Sequence, residues 1–345
     1  MYCFFNKIQC NLPQYKRNIK CDWDMLRDSA EIEIMMKQAD TTRWYIKFFA
    51  RKRPSCIKQI RSTSQQLIKQ KSHRHLIFFA VIMYIFLFLF VATNYLPLIL
   101  DVVIPLDKPR PRKLLTHLEV FIDQHKYFHF IMLFIIIASF FGITTVLAAE
   151  TMLMIFIQHA CGLFKVTSYR MMRAFDISSV PAINYSKKCT ICNRLASAMK
   201  IHRTAILFSE RITLYLANNY FVLILCAVVS LSSNLYRLTQ ALAVMKIMDM
   251  FIIFVFICGH FCYMFWCNYA GQELMNSSTE VYHQVYNSQW YKSPVHNQKM
   301  MILILCRSAK PCTFVVGHLF LTSLEGFGTL ISMSLSYFTV IYSTQ

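Results

Sequence analysis

Hydrophobic residues dominate five long stretches of the chain, and none of these stretches contains an Asp, Glu, Lys or Arg residue. The stretches are 25, 23, 25, 23 and 20 residues long and comprise residues 76–100, 127–149, 212–236, 250–272 and 326–345. A helix of about 20 apolar residues crosses the hydrocarbon core of a bilayer. The pattern therefore predicts an all-α, polytopic membrane protein with five transmembrane helices, at about residues 76–98, 130–157, 212–233, 247–267 and 314–342.

The basic residues between these stretches are distributed unequally. Alternate segments, which are residues 1–75, 158–211 and 268–312, hold 29 of the 36 Lys and Arg residues, and the intervening segments hold the other 7. Cytoplasmic loops of membrane proteins carry the excess of Lys and Arg. The N-terminus is therefore predicted to be cytoplasmic, and the C-terminus lies outside after an odd number of spans.

The net charge of +19 on 345 residues belongs mainly to these predicted cytoplasmic segments. No nucleic-acid-binding motif accompanies the charge, so anionic membrane lipid is the expected partner of the basic N-terminal segment, and nucleic acid is not. Residues 1–75 are predicted to form a cytoplasmic segment, in which the amphipathic residues 18–49 form a pair of helices. Residues 51–75 have the composition of a flexible basic linker.

No pattern typical of an enzyme is present. The chain contains no glycine-rich phosphate loop, no nucleophile motif and no pair of carboxylates within a span. The lone Cys189-x-x-Cys192 pair is weak as a zinc motif. The fourth span carries a cluster that we interpret as small packing residues, namely Cys258, His260, Cys262 and Cys267. We expect no metal ion, no cofactor and no catalytic residue.

The second stretch is unusually long, because residues 127–164 contain Glu150 as their only charged residue. At 1.5 Å per residue, these residues would form a helix of roughly 57 Å, which exceeds the roughly 30 Å hydrocarbon core. Tilting or a bend at Gly142 could accommodate the excess. We predict instead that the helix continues into the cytoplasm beyond Glu150.

Polar residues recur along the last span at alternating spacings of three and four. The set comprises Thr322, Glu325, Thr329, Ser332, Ser336, Thr339 and Ser343. This spacing places them on one face of a helix with 3.6 residues per turn. Such a face favours a water-filled pore, in which oxygen atoms replace part of an ion's hydration shell. The alternative is ordinary helix packing, with each hydroxyl bonded to its own backbone.

Short sequence blocks at these and other positions resemble those of insect odorant receptors, most closely those of ants, bees and wasps. The C-terminal blocks are Arg307-Ser-Ala-Lys-Pro-Cys312, Thr322-Ser-Leu-Glu-Gly-Phe327 and Ser336-Tyr-Phe-Thr339. The upstream blocks are Asp22-Trp23, Glu31-Ile-Glu-Ile34, Leu100-Asp101, Ile104-Pro105-Leu106, Arg110-Pro-Arg112, Asp123-Gln124, Lys126-Tyr127, Gln158-His-Ala-Cys-Gly162, Tyr169-Arg170, Gly271-Gln272 and Tyr286-Asn-Ser-x-Trp290-Tyr291. They follow one another in the family order from about residue 18 to the end.

The resemblance implies a fold of seven helices with a cytoplasmic N-terminus. It also implies an odorant-gated, non-selective cation channel in the plasma membrane of olfactory dendrites, assembled as a hetero-tetramer with a shared co-receptor. In the family, the last helix lines the pore, and the inner helix ends form an anchor domain. Two departures from the family pattern are expected. The residues before about 18 cannot supply the first two helices of the family, and residues 51–75 form an insertion without a family counterpart. A retained intron or a faulty gene model would explain both.

Carrying the resemblance over residue by residue gives two sets of site residues. The pore and gate set comprises Glu325, Thr329, Ser332, Ser336, Val340, Ser343 and Thr344, with the outer gate near Val340. The set expected to contact a small volatile ligand comprises Tyr95, Phe140, Phe141, Thr144, Thr145, Phe251 and Phe254.

Three alternatives to the channel subunit are open at this point. A receptor coupled to a G protein would require an extracellular N-terminus, which the distribution of basic residues opposes. A membrane protein with a packing or transport role would tolerate apolar residues along the polar face. A truncated, non-functional receptor product would fail to insert or assemble.

Overall fold

The structure is a computed structural model that describes residues 17–26, 28–39, 80–92, 95, 127–175, 184–245, 247–317 and 319–344. Helices account for most of this part of the chain. They are α1 (residues 17–24), α2 (Ser29–Ala39), α3 (Ala80–Ala92), α4 (Phe128–Ala174), α5 (Asn184–Ala243), α6 (Ile247–Asn287), α7 (Val295–Ser308) and α8 (Leu324–Ser343), with a short 3-10 turn at Trp290–Lys292. The predicted insertion at residues 51–75 lies outside the described residues.

Four of the described helices are long and apolar enough to cross a membrane. The apolar helical ranges are Phe128–Ala174, Ile191–Ala243, Asp249–Asn287 and Leu324–Ser343, within α4, α5, α6 and α8. A shorter apolar helix, α3, lies inside the first predicted span, most of whose remaining residues are outside the described ranges. The helix of the second span continues beyond Glu150 as predicted, because α4 runs without interruption for 47 residues to Ala174.

The chain divides into two units, each assembled from separate stretches of sequence. The first unit contains α1 and α2 together with Leu153–Leu223 and Cys267–Gly326. Its core is formed by large side chains that are at most 1% exposed, including Met35, Ile157, Leu163, Phe164, Leu195, Ile201, Tyr220 and Phe314. Helices α4, α5 and α6 thus each contribute one end to this packed core.

Helix α2 packs in this unit through one face, because Glu31, Met35 and Gln38 are its buried residues. These positions are four and three residues apart, which places them on one side of a helix. Gly162 of α4 makes the close approach possible, since a Cβ atom there would lie 2.7 Å from the sulfur of Met35. The predicted pair of N-terminal helices is therefore present in the described residues as α1 and α2.

The second unit contains α3 with parts of α4, α5, α6 and α8, comprising His75–Met152, Ile224–Trp266 and Phe327–Gln345. Helix α3 packs against α6, with the rings of Phe90 and Phe256 centred 5.5 Å apart. Phe130 and Phe134 on α4 are 73% and 72% exposed. Large exposed apolar surface of this kind is typical of contact with a membrane or a partner.

A short antiparallel hairpin precedes α8, pairing Val315–Val316 with Phe320–Leu321. Gly317 adopts a φ of +60° in the turn, a conformation that residues with a Cβ rarely adopt. The last span was predicted to begin at residue 314, but its helix begins at Leu324. The prediction missed the hairpin because the run of apolar residues through it has the same composition as a membrane helix.

Candidate functional site

Helix α8 has one face packed inside the second unit. Leu330 and Ser334 are 2% and 0% exposed. Ser232 of α5 donates a hydrogen bond of 2.9 Å from its Oγ to the backbone carbonyl of Ser334. Near the start of α8, the ring of Phe327 packs edge-on against Phe261 and Phe265 of α6, with centroids 6.4 and 5.8 Å apart. This face of α8 is therefore fixed by α5 and α6.

The opposite face of α8 carries the polar residues predicted from the sequence. Six of the seven lie in the helix and are exposed, namely Glu325, Thr329, Ser332, Ser336, Thr339 and Ser343. We call these six residues the polar stripe. At 100° per residue, Ser334 lies on the far side of the helix from Ser343. The polar stripe therefore points away from the packed core of its own chain.

Thr322 does not belong to the polar stripe, so the prediction was wrong at this position. It lies before the first residue of α8 and is 2% exposed. Its hydroxyl donates a hydrogen bond of 2.8 Å to the carbonyl of Phe314. The helix begins after Thr322 because the Ser323 hydroxyl accepts a hydrogen bond from the backbone N–H of Gly326, as an N-cap residue does.

The hydroxyl protons along the polar stripe are used by the helix itself. Ser332, Ser336 and Ser343 donate to the carbonyls of Gly328, Ser332 and Val340, at 3.0, 2.9 and 3.0 Å. Each hydroxyl oxygen keeps lone pairs for acceptance, since a hydroxyl has one proton and two acceptor sites. The same hydroxyl groups thus donate to the helix backbone and present a row of exposed acceptor oxygens.

The predicted gate residues lie beside the C-terminal end of the polar stripe. Val340 is 58% exposed. Thr344 follows one turn later, and its hydroxyl donates to the carbonyls of Val340 and Ile341 at 3.1 and 3.0 Å. Val340 therefore presents an exposed apolar side chain next to the polar ones.

The predicted ligand-contact residues fall into separate groups within the second unit. The hydroxyl oxygen of Tyr84 on α3 lies 3.0 Å from the Oγ1 of Thr144. The ring of Tyr84 is centred 6.0 Å from the ring of Phe140. Tyr95 instead packs against Phe128. The other predicted residues are exposed or half-buried on α4 and α6, namely Phe141, Thr145, Phe251 and Phe254. The structure joins Phe140 and Thr144 through Tyr84, a residue that the sequence did not single out.

A buried polar network ties the N-terminal helices of the first unit to α4. Arg170 forms two hydrogen bonds of 2.6 Å to the carboxylate of Glu31. It also donates to the Oγ of Ser197 at 2.7 Å and to the carbonyl of Met25 at 3.1 Å. His159 lies 3.0 Å from the carboxylate of Asp22. These contacts connect residues from separate sequence blocks, each of which resembles a block of the odorant receptors.

The exposed edge of this network is a second ion pair. Asp28 is paired with Arg173, and it accepts a hydrogen bond of 3.4 Å from the hydroxyl of Tyr169. Partial burial would raise the pKa of the Asp28 carboxyl, but the hydrogen bond from the Ala30 amide and the charge of Arg173 together lower this pKa below its usual value. These two contacts therefore favour the charged form of Asp28.

Comparison with known families decides the identity of the chain. The family model of the 7tm odorant receptor matches residues 43–335. The chain belongs to the odorant receptor family. This is a family of receptors rather than enzymes, and the long apolar helices agree with a multi-pass membrane protein.

Curated relatives of this chain include odorant receptors of a fly and a mosquito. Odorant receptor 46a, isoform B, of Drosophila melanogaster is 27% identical over 168 residues, covering 47% of this chain and 42% of that protein. Odorant receptor 13a of the same fly is 26% identical over 257 residues, covering 69% and 58%. Odorant receptor Or2 of Anopheles gambiae is 29% identical over 123 residues, covering 35% and 30%. The chain thus spans between 30% and 58% of the length of these three relatives.

A solved odorant receptor structure shares the fold. The insect olfactory receptor OR5 of Machilis hrabei, in complex with eugenol, matches with a TM-score of 0.60 at 16% identity. The match covers 79% of this chain and 67% of that one. At this level of identity the likeness shows the fold, so the roles of individual residues are argued from the chain itself.

Proposed function

We propose that this odorant receptor is the ligand-binding subunit of an odorant-gated, non-selective cation channel. It assembles with a shared co-receptor subunit in the plasma membrane of olfactory neurons, and α8 lines the conduction path. The observation that carries this proposal is the exposure of the polar stripe on the face of α8 opposite Ser334. A polar face along a membrane helix requires either a partner helix or water.

The chemistry of the polar stripe favours cations. Its side chains present hydroxyl oxygens, which can replace water around an ion, and Glu325 adds a carboxylate in the first turn of α8. Helix α8 contains no Lys or Arg residue that would repel a cation. Several subunits arranged around one axis would bring their polar stripes together around a common lumen.

We place the odorant among aromatic side chains of the second unit. Tyr84, Phe140 and Thr144 combine two aromatic rings with two hydroxyls that contact each other. Apolar walls with a few placed polar groups suit a small volatile molecule. The complex of Machilis OR5 with eugenol supports a phenolic volatile as a first probe. An odorant that binds the open form more tightly than the closed form would shift the population toward the open form.

The proposal is tested by recording whole-cell currents from cells that express this chain with an insect odorant co-receptor. The cells are challenged with volatile alcohols, esters and phenols, including eugenol. We expect a cation current that cells expressing the co-receptor alone do not produce. The lack of such a current from the complex at the cell surface would contradict the proposal.

The lining of the pore is tested by a matched pair of cysteine variants, Ser336→Cys and Ser334→Cys. The two positions lie two residues apart on α8, one exposed and one 0% exposed. A charged methanethiosulfonate reagent added to the open channel is expected to reduce the current of Ser336→Cys and to leave Ser334→Cys and the parent unchanged. Equal modification of both variants, or of neither, would exclude the polar stripe from the conduction path.

A further inference from the structure

The N-terminal end of α8 is held by two side chains of α6. The Oδ1 of Asn268 accepts a hydrogen bond of 3.2 Å from the backbone N–H of Ser323. The Oε1 of Gln272 accepts one of 3.2 Å from the backbone N–H of Leu324. The first N–H groups of a helix have no carbonyl partner within the helix. Asn268 and Gln272, one turn apart on α6, supply acceptors that α8 cannot supply for itself.

The backbone around the start of α8 is tightly packed because glycines face the segment that leads from the hairpin into this helix. A Cβ atom on Gly271 of α6 would lie 2.0 Å from the Oγ1 of Thr322 and 2.3 Å from its carbonyl oxygen. A Cβ atom on Gly326 of α8 would lie 2.2 Å from the carbonyl oxygen of Leu321 and 3.2 Å from the Oδ1 of Asn268. Either side chain would force the backbone segments apart.

Both ends of this contact are held in place. The amide nitrogen of Gln272 donates 2.8 Å to the Oδ1 of Asn276, which orients its oxygen toward Leu324. The N–H of Thr322 donates to the carbonyl of Phe314 at 3.1 Å, which ties the residue before the cap to the hairpin. Asn268 is 0% exposed, so its acceptor has no access to water. Ser323 and Leu324 are therefore held by hydrogen bonds to α6, and the preceding residue is held by the hairpin.

We propose that Asn268 and Gln272 are positioning residues that couple α6 to the gating of α8. This inference rests on the proposed function, in which α8 lines the pore. A movement of α6 would be transmitted to the first turn of α8 through the two hydrogen bonds. Loss of one bond would change the balance between closed and open pores by about three- to tenfold, the equilibrium effect of one typical hydrogen bond.

The variant that tests the coupling is Gln272→Met, because Gln272 is half-buried and its loss is less disruptive than a change at the fully buried Asn268. Methionine has a similar length and no strong acceptor. Gln272→Glu keeps an oxygen acceptor beside Leu324, and its negative charge suits a helix N-terminus. Gln284→Met makes the same chemical change about three turns further along α6 and serves as the matched control.

Two measurements are made on the full chain with the co-receptor, at matched surface expression. The first is the concentration of the most effective volatile of the panel that gives a half-maximal current, with the spontaneous current as a second readout. The second is amide hydrogen exchange of residues 322–326 in the purified protein. We expect Gln272→Met to shift the half-maximal concentration by at least threefold and to speed amide exchange at Leu324, with Gln272→Glu and Gln284→Met close to the parent.

The outcomes separate this inference from the channel function on which it rests. If the parent gives an odorant-evoked current and Gln272→Met changes the half-maximal concentration by less than twofold, the coupling alone is overturned. Unchanged amide exchange in Gln272→Met would overturn it as well, because the hydrogen bond would then not hold Leu324. A change in the reversal potential of Gln272→Met would identify a pore-lining residue and contradict a positioning role. The lack of any odorant-evoked current from the parent would overturn the channel function and the coupling together.

Discussion

Arg170 and Glu31 form a bidentate ion pair, with two bonds of 2.6 Å, although 139 positions separate them in the sequence. Their side chains are only 10% and 7% exposed. A buried carboxylate is tolerated when a guanidinium satisfies both of its oxygens. The pair therefore fixes α2 against α4 in one orientation.

Breaking this pair is expected to destabilise the receptor strongly. Removal of one partner of a buried ion pair typically costs about 3–5 kcal/mol, because the other charge stays buried without compensation. Glu31→Gln should therefore lower the melting temperature of the purified receptor, measured by fluorescence-detected size-exclusion chromatography. The double variant Glu31→Leu with Arg170→Met should recover much of the loss, since no unpaired charge remains.

The neighbouring pair of Asp28 and Arg173 gives a matched control for this prediction. It joins the residue that immediately precedes α2 to α4, but the Arg173 side chain is 50% exposed. Exposed ion pairs contribute little, because water and salt screen the charges. Arg173→Gln should leave the melting temperature almost unchanged. A loss as large as that of Glu31→Gln would show that burial does not decide the difference.

Two glycines at the start of α8 are expected to respond differently to alanine. A Cβ atom on Gly326 would lie 2.2 Å from the carbonyl of Leu321, whereas nothing lies within 4 Å of a Cβ atom on Gly328. Gly326→Ala should therefore cost about 1–3 kcal/mol through overpacking. Gly328→Ala should be neutral or stabilising by about 0.5–1 kcal/mol, because alanine favours the helix. Thermal unfolding in detergent compares them, and equal melting temperatures would refute the clash.

A third glycine tests the hairpin before α8. Gly317 combines a φ of +60° with a position against Phe221, where a Cβ atom would lie 2.4 Å from the ring. Gly317→Ala should lower the melting temperature through both strain and overlap. Adding Phe221→Leu should restore part of the loss, because only the overlap is relieved. Full restoration would show that the left-handed turn carries no cost.

The sequence predicted the membrane-spanning helices but not the side-chain contacts that join them. Charge-free runs indicate α4, α6 and α8 because the bilayer requires about 20 apolar residues, and spacings of three and four indicate the polar stripe. The sequence also predicted that the helix of the second span would continue beyond Glu150, as α4 does. These features are local, since each depends on residues within one helix.

The remaining features depend on contacts between distant residues. The first residue of α8 is set by Ser323 and by Asn268, which lies 55 positions earlier. The partner of Arg170 lies on a helix that the sequence did not connect to it. One signal was available, because Asn268 and Gln272 are polar residues four apart near the end of a charge-free run. Polar residues at such a boundary can supply acceptors for the unpaired N–H groups at the start of a neighbouring helix.

Val340 is expected to behave as an apolar constriction if α8 lines the pore as proposed. A narrow apolar passage excludes water and so blocks ions. Val340→Thr keeps the shape of the side chain and adds a hydroxyl, which should admit water and raise the spontaneous current in the absence of odorant. Val340→Ile keeps the passage apolar and should leave the spontaneous current at or below that of the parent. Whole-cell recording at matched surface expression measures both variants, and an increase with Val340→Ile as large as that with Val340→Thr would show that the polarity of residue 340 does not control the gate.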